Sequence, residues 1–134
     1  MIQRYGIDTS VLVCLLTGVP EADFTQSVRR LSALVADEGS AVVASNQVIG
    51  EAYIAVRHHY GVTRADARGG LLDVLRSGLV APLNGRPILE ALEASGGPGL
   101  LDRLIANDYA HSDLDLLTLD RDVATLPRAG LLDA

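Results

Sequence analysis

The sequence predicts an α/β domain with a mainly parallel sheet, because short apolar segments alternate with longer segments of helical periodicity. Strand candidates lie at 2–7, 41–44, 79–83 and 115–119, and each is followed by a segment that favours a helix or a helical turn. The length of 134 residues is typical of one domain, and a hydrophobic content of 49% supplies a core. We therefore expect one three-layer α/β/α domain over residues 1–134.

Helix starts and ends are marked by capping residues and glycines. A side-chain oxygen before the first turn satisfies free N–H groups, and glycine readily adopts the left-handed conformation that closes a helix. These signals and the apolar periodicity predict six helices, from Thr9 or Ser10 to Gly18, Pro20 to Gly39, Ser45 or Asn46 to Gly61, Thr63 to Gly78, Pro87 to Ala94, and Gly99 to His111.

The strands have equally local signals. Residues 41–44, AVVA, form a short apolar segment that is typical of a buried strand. Pro82 lacks a backbone donor and therefore places the strand at 79–83 at a sheet edge. The strand at 115–119 is followed by one helical turn and then by a terminal strand candidate at 129–132.

The composition excludes several classes of function. All 11 basic residues are arginine, and the chain contains no lysine. Walker-type phosphate loops, Schiff-base enzymes and protein kinases all need a lysine. The net charge of −6 argues against a protein that coats nucleic acid non-specifically. An enzyme that holds cations between itself and a phosphate substrate stays compatible with this charge.

The cysteine content and the apolar runs bound the environment of the chain. Cys14 is the only cysteine, so neither an internal disulfide nor a cysteine zinc site can form, and its apolar neighbours place it in the core. No apolar run approaches the roughly 20 residues of a membrane span. The segment MIQRYGIDTS lacks the features of a signal peptide. We expect a cytoplasmic location and no membrane partner.

Two aspartates lie where parallel sheets place their ligands. Asp8 follows the strand at 2–7, and Asp120 follows the strand at 115–119. Ligands of open parallel sheets bind outside the carboxyl ends of the strands. If both strands are central, these two carboxylates converge at one edge of the sheet.

Two further acids are ambiguous from their position alone. Asp102 lies in the first turn of its helix, where it is equally consistent with an acid that faces a cleft and with one that only stabilises the helix dipole. It borders an apolar stripe formed by Leu100, Leu101, Leu104, Ile105 and Tyr109. Glu51 lies away from the apolar stripe of its own helix, and this pattern favours a solvated surface acid.

The remaining aspartates of this region have mainly structural interpretations. Asp108 falls near the middle of the predicted stripe, so we expect it to be buried and hydrogen-bonded, with a supporting contact to the site as a further role. Asp113 and Asp115 flank a turn, where aspartate is common. Asp122 either caps a turn or is solvated, and metal binding is the less favoured role.

Four segments, YGIDTSVLV, SNQVIGEAY, LLDRLIA and LLTLDRDV, occur in this order over nearly the whole chain. Together they resemble the PIN-domain ribonucleases, and most closely the VapC-type toxins of type II toxin–antitoxin systems. The resemblance implies a Rossmann-like parallel sheet and a set of acids that bind Mg²⁺ or Mn²⁺. By resemblance these acids are Asp8, Glu51, Asp102 and Asp120.

The resemblance also implies an activity and partners. Ser10 matches a small polar residue that binds a metal-bound water, and Thr118 begins the family's Thr-x-Asp element. The implied activity is endoribonuclease cleavage by a metal-activated water. The implied partners are an RNA substrate, a small antitoxin protein and a second copy of the chain. The alternative is a non-catalytic PIN-fold binding or regulatory module. Asp108 departs from the family pattern, because many relatives have a small or hydroxyl residue there.

Overall fold

The computed structural model describes residues 2–132, and its larger sheet contains three parallel strands in the order β1–β2–β3. These strands are β1 (Arg4–Gly6), β2 (Ala41–Ala44) and β3 (Ala81–Pro82). The registers pair Tyr5 with Val42 and Val43 with Ala81. β2 is central, and its residues alternate between half-buried and buried. Pro82 lies in an edge strand, as its missing N–H predicts.

Six α-helices surround this sheet and confirm the α/β class. All six predicted helices are present, and five lie within a few residues of their expected limits. The second, predicted from Pro20 to Gly39, ends as an α-helix at Ser32 and continues as a π-helical turn to Asp37. Their bounds are α1 (Thr9–Thr17), α2 (Glu21–Ser32), α3 (Asn46–His59), α4 (Arg64–Leu75), α5 (Arg86–Glu93) and α6 (Leu100–His111), with a π-helical turn (Ala33–Asp37) after α2 and a 3₁₀ turn (Val123–Thr125) near the end of the chain. None of the helices in residues 2–132 combines the length and the apolar character of a membrane span.

The last two strands form a separate sheet. β4 (Leu116–Thr118) pairs in parallel with β5 (Ala129–Leu131), and this register sets Leu117 against Gly130. The strands therefore form two sheets, where the sequence predicted one central sheet. β1 and β4 are both edge strands, and every residue of β1 is exposed. As a result, Asp8 and Asp120 do not follow neighbouring strands.

The core is aliphatic and lies between the helices and β2. Its largest fully buried side chains come from five helices and from the segment before β3, and they are Leu12, Ile49, Leu71, Val80, Ile88 and Leu100. Burial of each large aliphatic side chain contributes about 1.5–3 kcal/mol. Cys14 is buried in α1, as its neighbours predicted.

Two of the three predicted helix caps are confirmed, and one is wrong. The Ser45 and Thr63 side chains accept from the backbone N–H groups of Val48 and Asp66. The cap of α1 is Asp8, where the sequence predicted Thr9 or Ser10, because Thr9 is already the first residue of the helix. Asp8 has an extended backbone and accepts from the Val11 N–H, which is the geometry of a capping residue.

The predicted apolar stripe of α6 is partly wrong. Leu100 and Leu104 are buried, but Leu101 and Ile105 are 37% and 50% exposed. The buried side of α6 is therefore the side that carries Leu100 and Leu104, and the predicted stripe was centred too far towards Leu101 and Ile105. Asp108 is exposed, so the prediction that it is buried is wrong, whereas the prediction that it is hydrogen-bonded is confirmed.

Candidate functional site

Asp8 lies between β1 and α1 and serves as the N-cap of α1. Its Oδ1 accepts from the Ser10 hydroxyl at 2.6 Å and from the Val11 N–H at 3.2 Å. These two hydrogen bonds lower the pKa of Asp8 below its ordinary value of 3.8. Asp8 is exposed, so it presents an ionised carboxylate at the surface beyond the carboxyl end of β1.

Glu51 joins this segment through a hydroxyl. Thr9 Oγ1 donates to Glu51 Oε1 at 2.6 Å, although the two residues are 42 positions apart. Glu51 is exposed on α3, as its position on the helix predicted. Its carboxylate is nevertheless oriented by Thr9, the neighbour of Asp8. The first two segments of the resemblance thus meet in space.

Asp102 lies in the first turn of α6 and is half-buried. The residue before it, Leu101, packs against Gly50, the residue before Glu51. A Cβ atom on Gly50 would lie 3.1 Å from Leu101 Cδ2 and 3.6 Å from Leu104 Cδ1. Because Gly50 has no side chain, α3 and α6 approach closely at the positions adjacent to Glu51 and Asp102.

Asp120 is folded into its own turn, on the second sheet. Its Oδ1 accepts from the N–H groups of Asp122 at 2.8 Å and Val123 at 3.4 Å. Its own N–H donates to Thr118 Oγ1 at 3.0 Å. Thr118 therefore orients the backbone of the turn. The Asp122 carbonyl oxygen accepts from the Thr125 hydroxyl. The side chain of Asp122 is exposed.

The four candidate acids are brought together only in part. Thr9 links the segment of Asp8 to Glu51, and the Gly50–Leu101 contact sets α6 beside α3. Over residues 2–132, no three or more Asp, Glu, His or Cys side chains form a group that could hold a metal ion. The carboxylate oxygens are of the type that Mg²⁺ and Mn²⁺ prefer. The donors therefore suit a hard cation in their chemistry, while Asp120 follows a strand of the other sheet.

An amide cluster formed by Asn46, Asn84, Asn107 and Asp108 was missed by the sequence reasoning. Asn46 Nδ2 and Asn84 Nδ2 both donate to Asn107 Oδ1 and to Asp108 Oδ1. Asn46 and Asn84 follow β2 and β3, the same sheet edge at which Asp8 was singled out. A search for every polar residue after a strand, rather than for acids alone, would have identified both.

Asp113 and Asp115 are turn residues, as predicted. Asp113 has a positive φ of 60°, and both carboxylates pair with the guanidinium of Arg128. Arg128 Nε donates to Asp115 at 2.8 Å, and the hydrogen bonds that Arg128 donates to Asp115 and Asp113 raise its pKa. These contacts hold the turn before β4 against the residue before β5.

Comparison of the chain with protein-family models, with curated proteins and with solved structures gave no match.

Proposed function

We propose that this chain is a Mg²⁺- or Mn²⁺-dependent endoribonuclease of the PIN-domain type, and the toxin of a toxin–antitoxin pair. The observation that carries this proposal is the hydrogen bond from Thr9 Oγ1 to Glu51 Oε1. It draws together two segments that resemble the same family and lie 42 positions apart. The apolar pattern of α3 favours a surface role for Glu51, whereas the resemblance implies a role in the site. This contact supports the role in the site.

The residues have distinct roles in the proposed reaction. Asp8, Glu51 and Asp102 supply carboxylate oxygens, and the Ser10 hydroxyl holds Asp8 in a fixed orientation. A bound Mg²⁺ would lower the pKa of its water and neutralise charge on the phosphate. Clustered carboxylates repel each other and the phosphodiester unless a cation lies between them. This requirement explains how an acidic chain can act on RNA.

Asp120 would join these acids if the two sheets merged. Asp8 lies two residues after the end of β1, and Asp120 lies two residues after the end of β4. Both strands are sheet edges and three residues long. Parallel pairing of these edges would place the strands about 4.8 Å apart and align the two aspartates. The single central sheet of the three-layer fold is part of this proposal.

A cleft beside α1 supports an RNA substrate. It has a volume of about 820 Å³ and begins at Thr9 and Ser10, next to Asp8. Arg30, His59 and Tyr60 line it further along. Guanidinium groups bind phosphates, and aromatic rings stack on unpaired bases, so single-stranded RNA is the substrate we favour.

Protein partners follow from the same resemblance. We expect a small antitoxin that covers the site, a homodimer, and a cytoplasmic location. Leu101 and Ile105 on α6 and Ile54 on α3 are large apolar side chains that stay exposed. Exposed apolar side chains on neighbouring helices support a protein-binding surface.

A non-catalytic PIN-fold module is the second candidate. The hydroxyl of Thr9 already binds Glu51, and the Ser10 hydroxyl and the Val11 N–H already bind Asp8. Acids that are satisfied in this way also serve a purely structural role. Only the enzyme needs a cation site that depends on the acids, so binding of Mn²⁺ separates the two candidates.

The test of the enzyme is cleavage of single-stranded RNA in the presence of Mg²⁺. We expect Asp8→Asn to lower the rate by at least about 100-fold, because a carboxylate that binds the cation is replaced by a neutral amide. Asp73→Asn is the matched control, since Asp73 is exposed on α4 and lies outside the proposed site. Cleavage by Asp8→Asn at the wild-type rate would contradict the assignment of Asp8 to the catalytic site.

A further inference from the structure

A buried asparagine clamps α6 onto the start of α3. Asn46 is the first residue of α3 and is only 4% exposed. Its Nδ2 donates to the Leu104 carbonyl oxygen at 3.0 Å, and to Asn107 Oδ1 and Asp108 Oδ1 at 2.9 Å each. One side chain therefore holds both the backbone and two side chains of α6.

The orientation of the Asn46 amide is set by its surroundings. Three oxygen atoms surround Nδ2, so an exchange of Nδ2 and Oδ1 would place an acceptor against three acceptors. Asn46 Oδ1 is buried and makes no hydrogen bond within residues 2–132. The two N–H groups of Nδ2, which these three oxygen atoms share, therefore determine how this amide is arranged.

Asn84 completes the amide cluster from the side of β3. Its Nδ2 donates to Asn107 Oδ1 at 2.8 Å and to Asp108 Oδ1 at 3.1 Å. Each of these acceptors thus receives N–H groups from two amides. Hydrogen bonds to an ionised carboxylate are stronger than those between neutral groups, so Asp108 strengthens the cluster although it is exposed.

Three residues of the amide cluster, Asn46, Asn107 and Asp108, lie on the two helices that carry two of the proposed metal ligands. Glu51 is on α3, and Asp102 is on α6. The contact of Gly50 with Leu101 fixes how closely these helices approach. The apolar contacts of Leu100 and Leu104 bury one side of α6. The Asn46 amide adds directional hydrogen bonds to this packing, because it reaches the Leu104 carbonyl oxygen and the side chains of Asn107 and Asp108.

We propose that Asn46 and Asp108 are positioning residues. The amide cluster sets the rotation of α6 against α3, and thereby the spacing between the carboxylates of Glu51 and Asp102. This proposal rests on the proposed function in one respect, because it takes those two carboxylates to bind the same cation. Groups that support metal ligands in this way affect metal affinity without contacting the metal.

The first measurement is the affinity for Mn²⁺ of charge-swapped variants. Asn46→Asp places a carboxylate against three acceptors and should weaken Mn²⁺ binding by about tenfold or more. Asn46→Asp combined with Asp108→Asn restores a donor at one of the three acceptors and should recover part of the affinity. Ile88→Val, in the core on α5 and outside the amide cluster, is the control for a loss of stability that leaves the hydrogen bonds of Asn46 in place.

The second measurement needs no metal. Nitroxide labels at Gln47 and Ile105, both exposed, report the spacing of α3 and α6 in a Cys14→Ser background. We expect Asn46→Asp to change the dipolar broadening between the labels, and the double variant to reverse part of that change. If Asn46→Asp does not fold, Asp108→Ala takes its place, and we expect it to change the dipolar broadening in the same direction.

The outcomes separate the two proposals. An unchanged label spacing together with unchanged Mn²⁺ affinity in Asn46→Asp overturns the positioning role. A change in label spacing without rescue by Asp108→Asn overturns it as well, because the pairing would then be irrelevant. Failure of the wild-type chain to bind Mn²⁺ overturns the proposed function, while the label spacing still decides the role of Asn46.

Discussion

Thr9 Oγ1 donates a hydrogen bond of 2.6 Å to Glu51 Oε1 and so joins the start of α1 to the second turn of α3. Thr9 is half-buried, whereas Glu51 is exposed. The apolar pattern of α3 cannot identify such a contact, because it reports only which face of the helix is buried. The contact gives an exposed acid a fixed orientation beside Asp8.

Thr9→Val should destabilise the protein and weaken binding of Mn²⁺. Valine has nearly the same shape but lacks the donor, and one such hydrogen bond contributes about 1 kcal/mol. Urea unfolding measures the change in stability, and titration measures the affinity. Thr17→Val is the control, because the Thr17 hydroxyl binds the Val13 carbonyl oxygen within α1. Equal Mn²⁺ affinity in both variants would contradict a role for Thr9 in the site.

Ser10→Ala should raise the pKa of Asp8 towards 3.8, because the Ser10 hydroxyl is the largest cause of its lowered pKa. A lowered folded-state pKa gives stability that is present above the ordinary value and is lost as the pH falls through the folded-state value. The variant should therefore lose less stability on acidification below pH 3.8. Carboxyl NMR titration of Asp8 in both proteins measures the shift. An identical titration in the two proteins would show that the hydroxyl does not stabilise the carboxylate.

Local signals predicted the elements better than their arrangement. Ser45 and Thr63 cap α3 and α4 as expected, because capping depends on only three or four consecutive residues. The separation of β4 from β1 could not be predicted in this way. Strand pairing joins segments that are far apart in sequence, and β4 meets β5 through the registers of Leu116 with Ala129 and Thr118 with Leu131.

The helical glycines Gly50, in α3, and Gly69, in α4, should respond differently to alanine. Alanine is favoured over glycine in a helix by about 1 kcal/mol. A Cβ atom at Gly69 meets nothing within 4 Å, whereas at Gly50 it would lie 3.1 Å from Leu101 Cδ2. Gly69→Ala should therefore raise the free energy of unfolding by about 0.5–1 kcal/mol, and Gly50→Ala should raise it less. Equal gains in urea unfolding would show that α3 and α6 are not tightly packed at Gly50.

A site residue could be predicted from the sequence only where its position in the chain determines its place in the fold. Asp8 follows a strand and lies at its carboxyl end, as expected. Asp108 was predicted to be buried because the stripe of α6 was centred between Leu104 and Ile105. Ile105 is in fact exposed. Asp108 accepts hydrogen bonds from the side-chain amides of Asn46 and Asn84 and does not face the apolar core. Contacts of this kind depend on which neighbour faces the helix, and the sequence of α6 does not contain that information.

Cysteines at positions 5 and 117 test whether β1 and β4 pair. Tyr5 and Leu117 are the middle residues of these two edge strands, and Leu117 is 63% exposed. In a Cys14→Ser background we expect an intramolecular disulfide that forms faster with Mn²⁺, because the cation offsets the repulsion between Asp8 and Asp120. Cysteines at positions 5 and 83 are the control, since Leu83 follows the opposite edge strand. Equal rates for the two pairs would contradict merging of the sheets.

The central claim is that the acids bind a divalent cation, and a calorimetric titration with Mn²⁺ tests it most directly. Wild type should bind Mn²⁺, Asp73→Asn should bind it equally, and Glu51→Gln should bind it at least about tenfold more weakly. Glu51 is the decisive position, because its exposure on α3 suggests a surface acid and its contact with Thr9 suggests a site acid. Equal affinity of Glu51→Gln and wild type, or no binding by wild type, would contradict the account.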